Sequence, residues 1–366
     1  KKNDFNKINM KTIFFIRFMF ALQCFQKKII LILLLTTCTT INAQWIQQSS
    51  GVTVPLRRVN FINRNTGWIC GDGVILKTTN QGVNWLNQPM PATDKLMTDI
   101  SPVNDSVVYA VGYFRTILKT TNGGTNWNVI ENGPWGEGKS HYSCFFLNEN
   151  TGWIGSSALA TKKTTDGGKS FVDLNVNTGP TDIYFKDSLN GIFATNGAVI
   201  GTTTDGGFAW TINIINTPGI GNERFRRISF INNFTGFIVG DIGTTYKTTN
   251  FGISWDSVSF NTDVQEFLFC SNFINDSIGY AGGNFSRLYK TTNAGRSWIR
   301  QSFSGPTVFD IFSLNDTTIW LCGQPGLIYN TIHGGQTSIR QILERTFPKV
   351  LTCHKTTPTH LTLPQK

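Results

Sequence analysis

Charged residues, metal ligands and long apolar runs are all scarce in this chain. Only 15% of its 366 residues are charged and only four are histidine. No two of the seven cysteines form a CxxC pair, the histidines show no HExxH spacing, and the two within the repeats, His141 and His333, fall at unrelated repeat positions. A metal centre therefore has no ligand pattern to start from, and neither a metal nor a cofactor is expected. The apolar run Ile29 to Leu35 is too short to cross a bilayer. The formal charge of +10 suggests nucleic acid only until it is divided by region. Residues 1–43 hold seven Lys/Arg and one Asp, residues 339–366 hold five basic residues and one acid, and residues 44–338 keep twenty of each sign. The neutral middle removes the case for a nucleic-acid partner.

What the chain has instead is glycine, 36 residues of it, with aromatic residues at 13%. One box recurs: KTTNQGVNW ends at Trp85, KTTNGGTNW at Trp127, KTTDGGKSF at Phe171, TTTDGGFAW at Trp210, KTTNFGISW at Trp255 and KTTNAGRSW at Trp298. A degenerate copy, NTIHGGQTS, ends at Ser338, and the spacings are 42, 44, 39, 45, 43 and 40 residues. A catalytic constellation is needed once per active site, so near-copies at a fixed period indicate a reused structural unit. In the first unit RVNFIN, WICG, VILKTT and NWLNQ read as four short strands separated by Gly and Asn turns. Tandem four-stranded antiparallel meanders predict an all-β, seven-bladed β-propeller over residues 44–338. The last box lacks an aromatic, but Trp45 stands 40 residues before Trp85 and in phase with it. Trp45-Ile46-Gln47 is expected to supply the outer strand of blade seven and close the ring.

Within the boxes, Asn80, Asn122, Asp166, Asp205, Asn250 and Asn293 are expected to accept hydrogen bonds from backbone amides two residues on. The glycine that follows takes a backbone conformation costly for other residues, and the threonine hydroxyl assists. Trp85, Trp127, Trp210, Trp255 and Trp298 plug the outer strands against neighbouring sheets. No acid/base pair is shared among the boxes, so their role is structural.

Superposing the repeats on their inner strands aligns Arg58, Asp99, Ser143, Asp182, Arg227, Cys270 and Asp310, one residue per blade around a central channel. Arg57 and Arg226 precede the two arginines. Inner strands begin on the face opposite the box turns, where two longer loops, GPWGEGK and TPGIGNER, also open, the first carrying Trp135. Arg57, Arg58, Arg226, Arg227 and Trp135, with Asp99, Asp182 and Asp310, are the candidate binding residues of this mouth. The alternative reading is that the arginines and aspartates only neutralise one another across the channel.

The two ends of the chain read differently. Lys27 and Lys28, the run Ile29 to Leu35 and the small residue Ala43 read as a secretory signal peptide cleaved after Ala43, with Met10 or Met19 as the start. A lipoprotein would need a small residue before Cys38, where Thr37 stands. The expected location is therefore outside the cell or on its surface, with no membrane span in the mature chain. Residues 339–366 have no glycine and a single aromatic, Phe347, and read as a disordered tail. With ordinary codons, a shifted frame over Cys353 to Lys366 spells Gln-Asn-Tyr-Pro-Asn-Pro-Phe-Asn-Pro-Thr-Thr, which resembles the opening of a type IX secretion sorting domain. The expectation is a frameshifted tail. Cys70 and Cys322 occupy matching positions in the first and last units, as buried free thiols or as a disulfide.

TTDGGKSF and TTDGGFAW are Asp-boxes, the bacterial neuraminidase repeat. Joined to TGWICGDGVILKTTN and TGFIVGDIGTTYKTTN, they make residues 44–338 resemble the photosystem II assembly and stability factor family of seven-bladed propellers. In its photosynthetic members the family implies chaperone-like binding during complex assembly. For this chain the resemblance implies a secreted, monomeric, non-enzymatic scaffold engaging a protein or polysaccharide of the envelope or extracellular space. Asp-boxes also occur in sialidases and xyloglucan hydrolases, so a glycoside hydrolase is the alternative. Against it, no Arg-Ile-Pro occurs, the nearest match being Arg227-Ile228-Ser229, and xyloglucan hydrolases use paired aspartates on a chain about twice as long.

Overall fold

The computed structural model describes residues 45–91, 96–134, 138–157, 161–174, 176, 178–215, 225–240, 245–258 and 268–335. The leader, the tail and Trp135, with the expectations placed on them, lie outside these residues. Among the described residues, twenty-eight strands form seven four-stranded antiparallel sheets, the blades of a propeller. Among the described residues no helix is long and apolar enough to cross a membrane. Six blades are uninterrupted meanders. The seventh takes its outer strand from the other end of the chain: Ile46–Gln48 pairs antiparallel with Leu327–Thr331, Ile46 opposite Asn330 and Gln48 opposite Ile328. Trp45 precedes that strand, 5% exposed, edge-on to Tyr280 at 6.2 Å. Trp85 meets Phe61 in the same way at 5.9 Å, so Trp45 serves as the box tryptophan that blade seven lacks.

One glycine in each of five blades is required by an aromatic neighbour. At the start of the second strand, Gly67, Gly152, Gly191, Gly236 and Gly279 lie beneath Phe61, Phe146, Phe185, Phe230 and Phe273, and a Cβ would enter the ring at 2.3–2.8 Å. In the other two blades the pair is Val108 with Pro102 and Ile319 with Ser313. The phenylalanines also stack on the preceding blade: Phe61 on Trp320 at 3.8 Å, Phe146 on Tyr109 at 3.5 Å, Phe185 on Trp153 at 3.6 Å and Phe273 on Phe237 at 3.5 Å. Each stack adds roughly 0.5–1.5 kcal/mol to the area it buries. Where blade four has Ile192 in place of an aromatic, Phe230 turns to Tyr184 instead.

The boxes staple their own turns, with one change from the expected pattern. The Asx side chain accepts the amide four residues on, not two: Asn84 N donates to Asn80 Oδ1 at 3.0 Å, Asn126 N to Asn122 Oδ1 at 2.9 Å and Ser170 N to Asp166 Oδ1 at 2.9 Å. The threonine hydroxyl holds the turn's centre, accepting Gly82 N at Thr78 and Gly124 N at Thr120 from 2.8 and 2.9 Å. Asp205, Asn250 and Asn293 repeat the arrangement. Two consecutive left-handed residues build each turn; the second is always glycine, at φ 84° to 98° in the six full boxes, while the first can be Gln81, Phe251 or Ala294. Trp85, Trp127 and Trp298 are buried, and Trp210 and Trp255 are half-buried.

The box lysine has a further role that the sequence reading missed. Lys77, Lys119 and Lys290 donate through Nζ to the carbonyls of Gly123, Gly167 and Gly334 in the next blade, at 2.6, 2.8 and 2.7 Å. Each also lies over an aromatic ring of its own blade, Trp68, Tyr109 or Tyr280, at 5.0, 5.0 and 5.4 Å. The cation thus latches blade to blade, and at these three boxes the Lys is explained by the neighbour and not by the turn.

Candidate binding site in the channel mouth

Every inner strand carries a bulge at the same place. In blade one Leu56 pairs with Gly71 and Arg58 with Cys70, which leaves Arg57 as the extra residue. The same shift frees Thr98, Tyr142, Thr181, Arg226, Phe269 and Phe309 in blades two to seven. A bulge re-aims a side chain. Here all seven re-aimed residues line a single cavity of about 370 Å³ at the channel mouth, together with Tyr113 and Asn196.

On one side of this mouth four bulge residues form an arc across blades one, seven, six and five. Arg57 lies over the Phe309 ring at 6.0 Å, Phe309 meets Phe269 at 5.7 Å, and Arg226 lies over Phe269 at 5.6 Å. Arg57 is oriented from behind by Asp72, which takes its Nε on Oδ1 and its Nη2 on Oδ2 at 3.1 Å. On the other side Thr98 and Thr181 hydroxyls are committed to the carbonyls of His141 and Phe225 at 2.8 and 2.9 Å. The arc gathers two arginines and two phenylalanines of the mouth, while Tyr113 and Tyr142 stand edge-on at 6.5 Å in the same lining. Sequence superposition found Arg57 and Arg226 but passed over Phe269 and Phe309, which stand one residue before Cys270 and Asp310.

The residues one step deeper close the channel. Arg58 Nη2 donates to Asp99 Oδ2 at 3.3 Å and to Asp182 Oδ1 at 3.0 Å. Arg227 sits 3.7 Å from Asp182 Oδ1 and 3.6 Å from Asp310 Oδ1. The order Asp99, Arg58, Asp182, Arg227, Asp310 is a chain of alternating charge drawn from five blades. Each aspartate also accepts one amide of the following blade: Cys144 N at 2.8 Å, Ile228 N at 2.8 Å and Val59 N at 3.0 Å. The carboxylates are only 1–3% exposed. Burial raises all three above the ordinary range, against the pull of Arg58: Asp99 to about 6, Asp182 to about 7 and Asp310 to about 6. Beyond this plug lies a second cavity of about 210 Å³, walled by Asn60, Ser101, Phe145 and Tyr184. The sequence reading held two possibilities for these residues, binding and mutual neutralisation. The structure pairs Arg58 and Arg227 with the three aspartates, and it places Arg57 and Arg226 above them in the open mouth.

The cysteines Cys70, Cys144, Cys270 and Cys322 are buried free thiols. Among the described residues no group of His, Cys, Asp and Glu is arranged to hold a metal ion. A separate buried cluster ties blade two to blade three, where Glu131 takes Lys162 at 2.7 Å and Arg115 Nε at 2.6 Å beside His141, whose Nδ1 meets Ser156 at 2.6 Å.

Residues 170–266 match the family model described as Photosynthesis system II assembly factor YCF48. No curated protein matches the chain. Among solved structures, YCF48 bound to D1 peptide is 18% identical with a TM-score of 0.66, covering 79% of this chain and 96% of its own. YCF48 from Cyanidioschyzon merolae is 19% identical with a TM-score of 0.67, covering 80% and 99%. The GH74 xyloglucanase from Xanthomonas campestris shares the propeller at 11% identity and a TM-score of 0.62, over 81% of this chain and 55% of its own. By repeat and by fold, the chain is an Asp-box propeller similar to YCF48.

Proposed function

We propose that this protein is an exported, non-enzymatic scaffold that holds a segment of another protein in the channel mouth. The observation that carries the reading is the arc Arg57, Phe309, Phe269, Arg226, in which two cations flank two rings around a cavity of peptide-side-chain size. Arginine and aromatic residues are enriched at interface hot spots. A solved protein of the same fold is described as bound to a peptide, which supports a protein ligand ahead of a polysaccharide. Export to the envelope or medium is supported by the leader Lys27 to Ala43.

The glycosidase alternative rests on the shared propeller of the xyloglucanase. Asp99 and Asp182 do meet at one nitrogen of Arg58, close enough for a retaining pair. Each is nevertheless ion-paired, holds a backbone amide and is 1–3% exposed, and although Asp182 lines the second cavity, neither lines the mouth. The binding reading is tested by selecting ligands from a displayed peptide library with the wild type and with Phe269→Ala/Phe309→Ala. Enrichment lost in the double variant supports it. Enrichment indifferent to the arc, or hydrolysis of xyloglucan or a sialoside by the wild type, overturns it.

A further inference from the structure

Three carboxylates share two guanidiniums inside the plug. Asp182 faces Arg58 and Arg227, Asp99 lies against Arg58, and Asp310 lies against Arg227 and within the pull of Arg58. The other titratable groups packed around them are the thiols of Cys70, Cys144, Cys270 and Cys322, and burial keeps all four neutral. The cluster therefore has one negative charge more than its cations cover, in a place where an uncovered charge is costly. Above it, Arg57 is matched by Asp72, and Arg226, over Phe269, lines the mouth with Tyr113 and Tyr142.

Arg58, Arg227 and Asp310 also form part of the mouth cavity's lining, so the two guanidiniums face the plug and the ligand space at once. A carboxylate entering from the mouth meets cations already shared among three aspartates. It can take a share of them only if one aspartate gives up its own. We infer that the plug is a proton-binding site, and that a carboxylate ligand in the mouth binds together with one proton from solvent, which neutralises an aspartate of the trio while the ligand pairs with Arg58 or Arg227. The inference rests on the mouth-binding reading above. The raised carboxyls are poised for it: a group near 7 is only partly ionised at neutral pH and accepts a proton at little cost.

The test uses the whole protein and a synthetic tetraglutamate peptide. Calorimetric titrations at pH 6 and pH 8, in two buffers of different ionisation enthalpy, give Kd and the protons taken up. Binding should be about tenfold tighter at pH 6, as linkage to one group near 7 requires, with close to one proton taken up at pH 8. Asp182→Asn and Asp310→Asn each leave two acids for two arginines, so either should bind with the pH dependence gone; two variants guard against one failing to fold. A wild-type Kd equal at both pH values overturns the coupling. Carboxyl carbon NMR of the free protein judges the proton site separately. An aspartate titrating between pH 6 and 7.5 and shifted in both variants supports it, and no aspartate titrating above pH 5 overturns it. If the plug titrates while tetraglutamate binds at neither pH, the mouth reading fails for acidic segments and the coupling with it, and the proton site stands.

Discussion

The carboxylate of Asp310, in blade seven, accepts the backbone amide of Val59, in blade one, at 3.0 Å. The ring is therefore closed on the inside by a side chain as well as on the outside by the strand Ile46–Gln48. Two other junctions use the same device, Asp99 to Cys144 N and Asp182 to Ile228 N. In each case the amide belongs to the residue two past the bulge, Val59 after Arg57, Cys144 after Tyr142 and Ile228 after Arg226, and a buried amide needs such a partner. The aspartates that look like site residues in the sequence are also the inner seam of the fold.

Replacing Asp310 by alanine strands the buried Val59 amide and removes a partner from Arg227. Breaking a buried pair in this way costs about 3–5 kcal/mol. Chemical denaturation should show that loss, with Asp310→Asn costing clearly less because an amide oxygen can still accept from Val59. Equal losses for the two variants would mean that charge, and not the amide seam, dominates.

Trp45 fills the space above Gly335 that a box tryptophan fills elsewhere, its Nε1 3.1 Å from where a Cβ on that glycine would sit. Trp45→Ala should therefore cost about 3–5 kcal/mol, the loss typical of a large buried side chain. Deleting Gln44 to Ser49 should cost more, since the edge of Leu327–Thr331 is then unpaired as well. An unchanged thermal midpoint after the deletion would show that another segment closes blade seven.

In the boxes, Thr120 deserves more weight than Asn122. The hydroxyl of Thr120 takes the buried Gly124 amide, whereas Asn122 takes the exposed Asn126 amide. Thr120→Val leaves a buried donor without a partner and should destabilise by about 1–3 kcal/mol. Asn122→Ala should cost less, because water can replace the lost acceptor. The reverse order in a melting comparison would place the staple's strength in the Asx residue.

Periodicity made the propeller readable: the boxes set blade number, and the phase of Trp45 set the closure. It could not give what depends on contacts between blades far apart in sequence. Arg58 meets Asp182 across 124 residues, and only the closed ring puts blades one and four on opposite sides of one narrow channel. The lysine latch was hidden for a similar reason, since Lys77 reads as part of its own box while its partner is the carbonyl of Gly123. The arc was missed by one residue. Superposition on Arg58 and Asp310 picked the channel position, and a bulge cannot be seen in a strand that alternates well enough to look regular.

The buried charges also make stability depend on pH in an unusual direction. Asp99, Asp182 and Asp310 are raised by burial, so their contribution is fully present below their unfolded value and is lost as pH rises through 6 to 7. His141 is lowered by burial, with Glu131 opposing, so its contribution is lost only as pH falls below its unfolded value near 6.5. Glu131 is lowered to about 2: burial opposes that shift, and His141 at 3.9 Å with the hydrogen bonds from Lys162 and Arg115 outweighs it, so its contribution is lost only in strong acid. Between pH 8 and 6.5 the aspartates act alone among these groups. Stability should rise by about 1 kcal/mol as the pH is lowered across that window. For a domain of this size that is about 1–2 °C in Tm. Scanning calorimetry at pH 8 and 6.5 should show the rise in the wild type and its absence in Asp182→Asn. A wild-type midpoint that stays level or falls would mean that the trio is fully ionised in the folded protein, and that Arg58 and Arg227 cover all three charges.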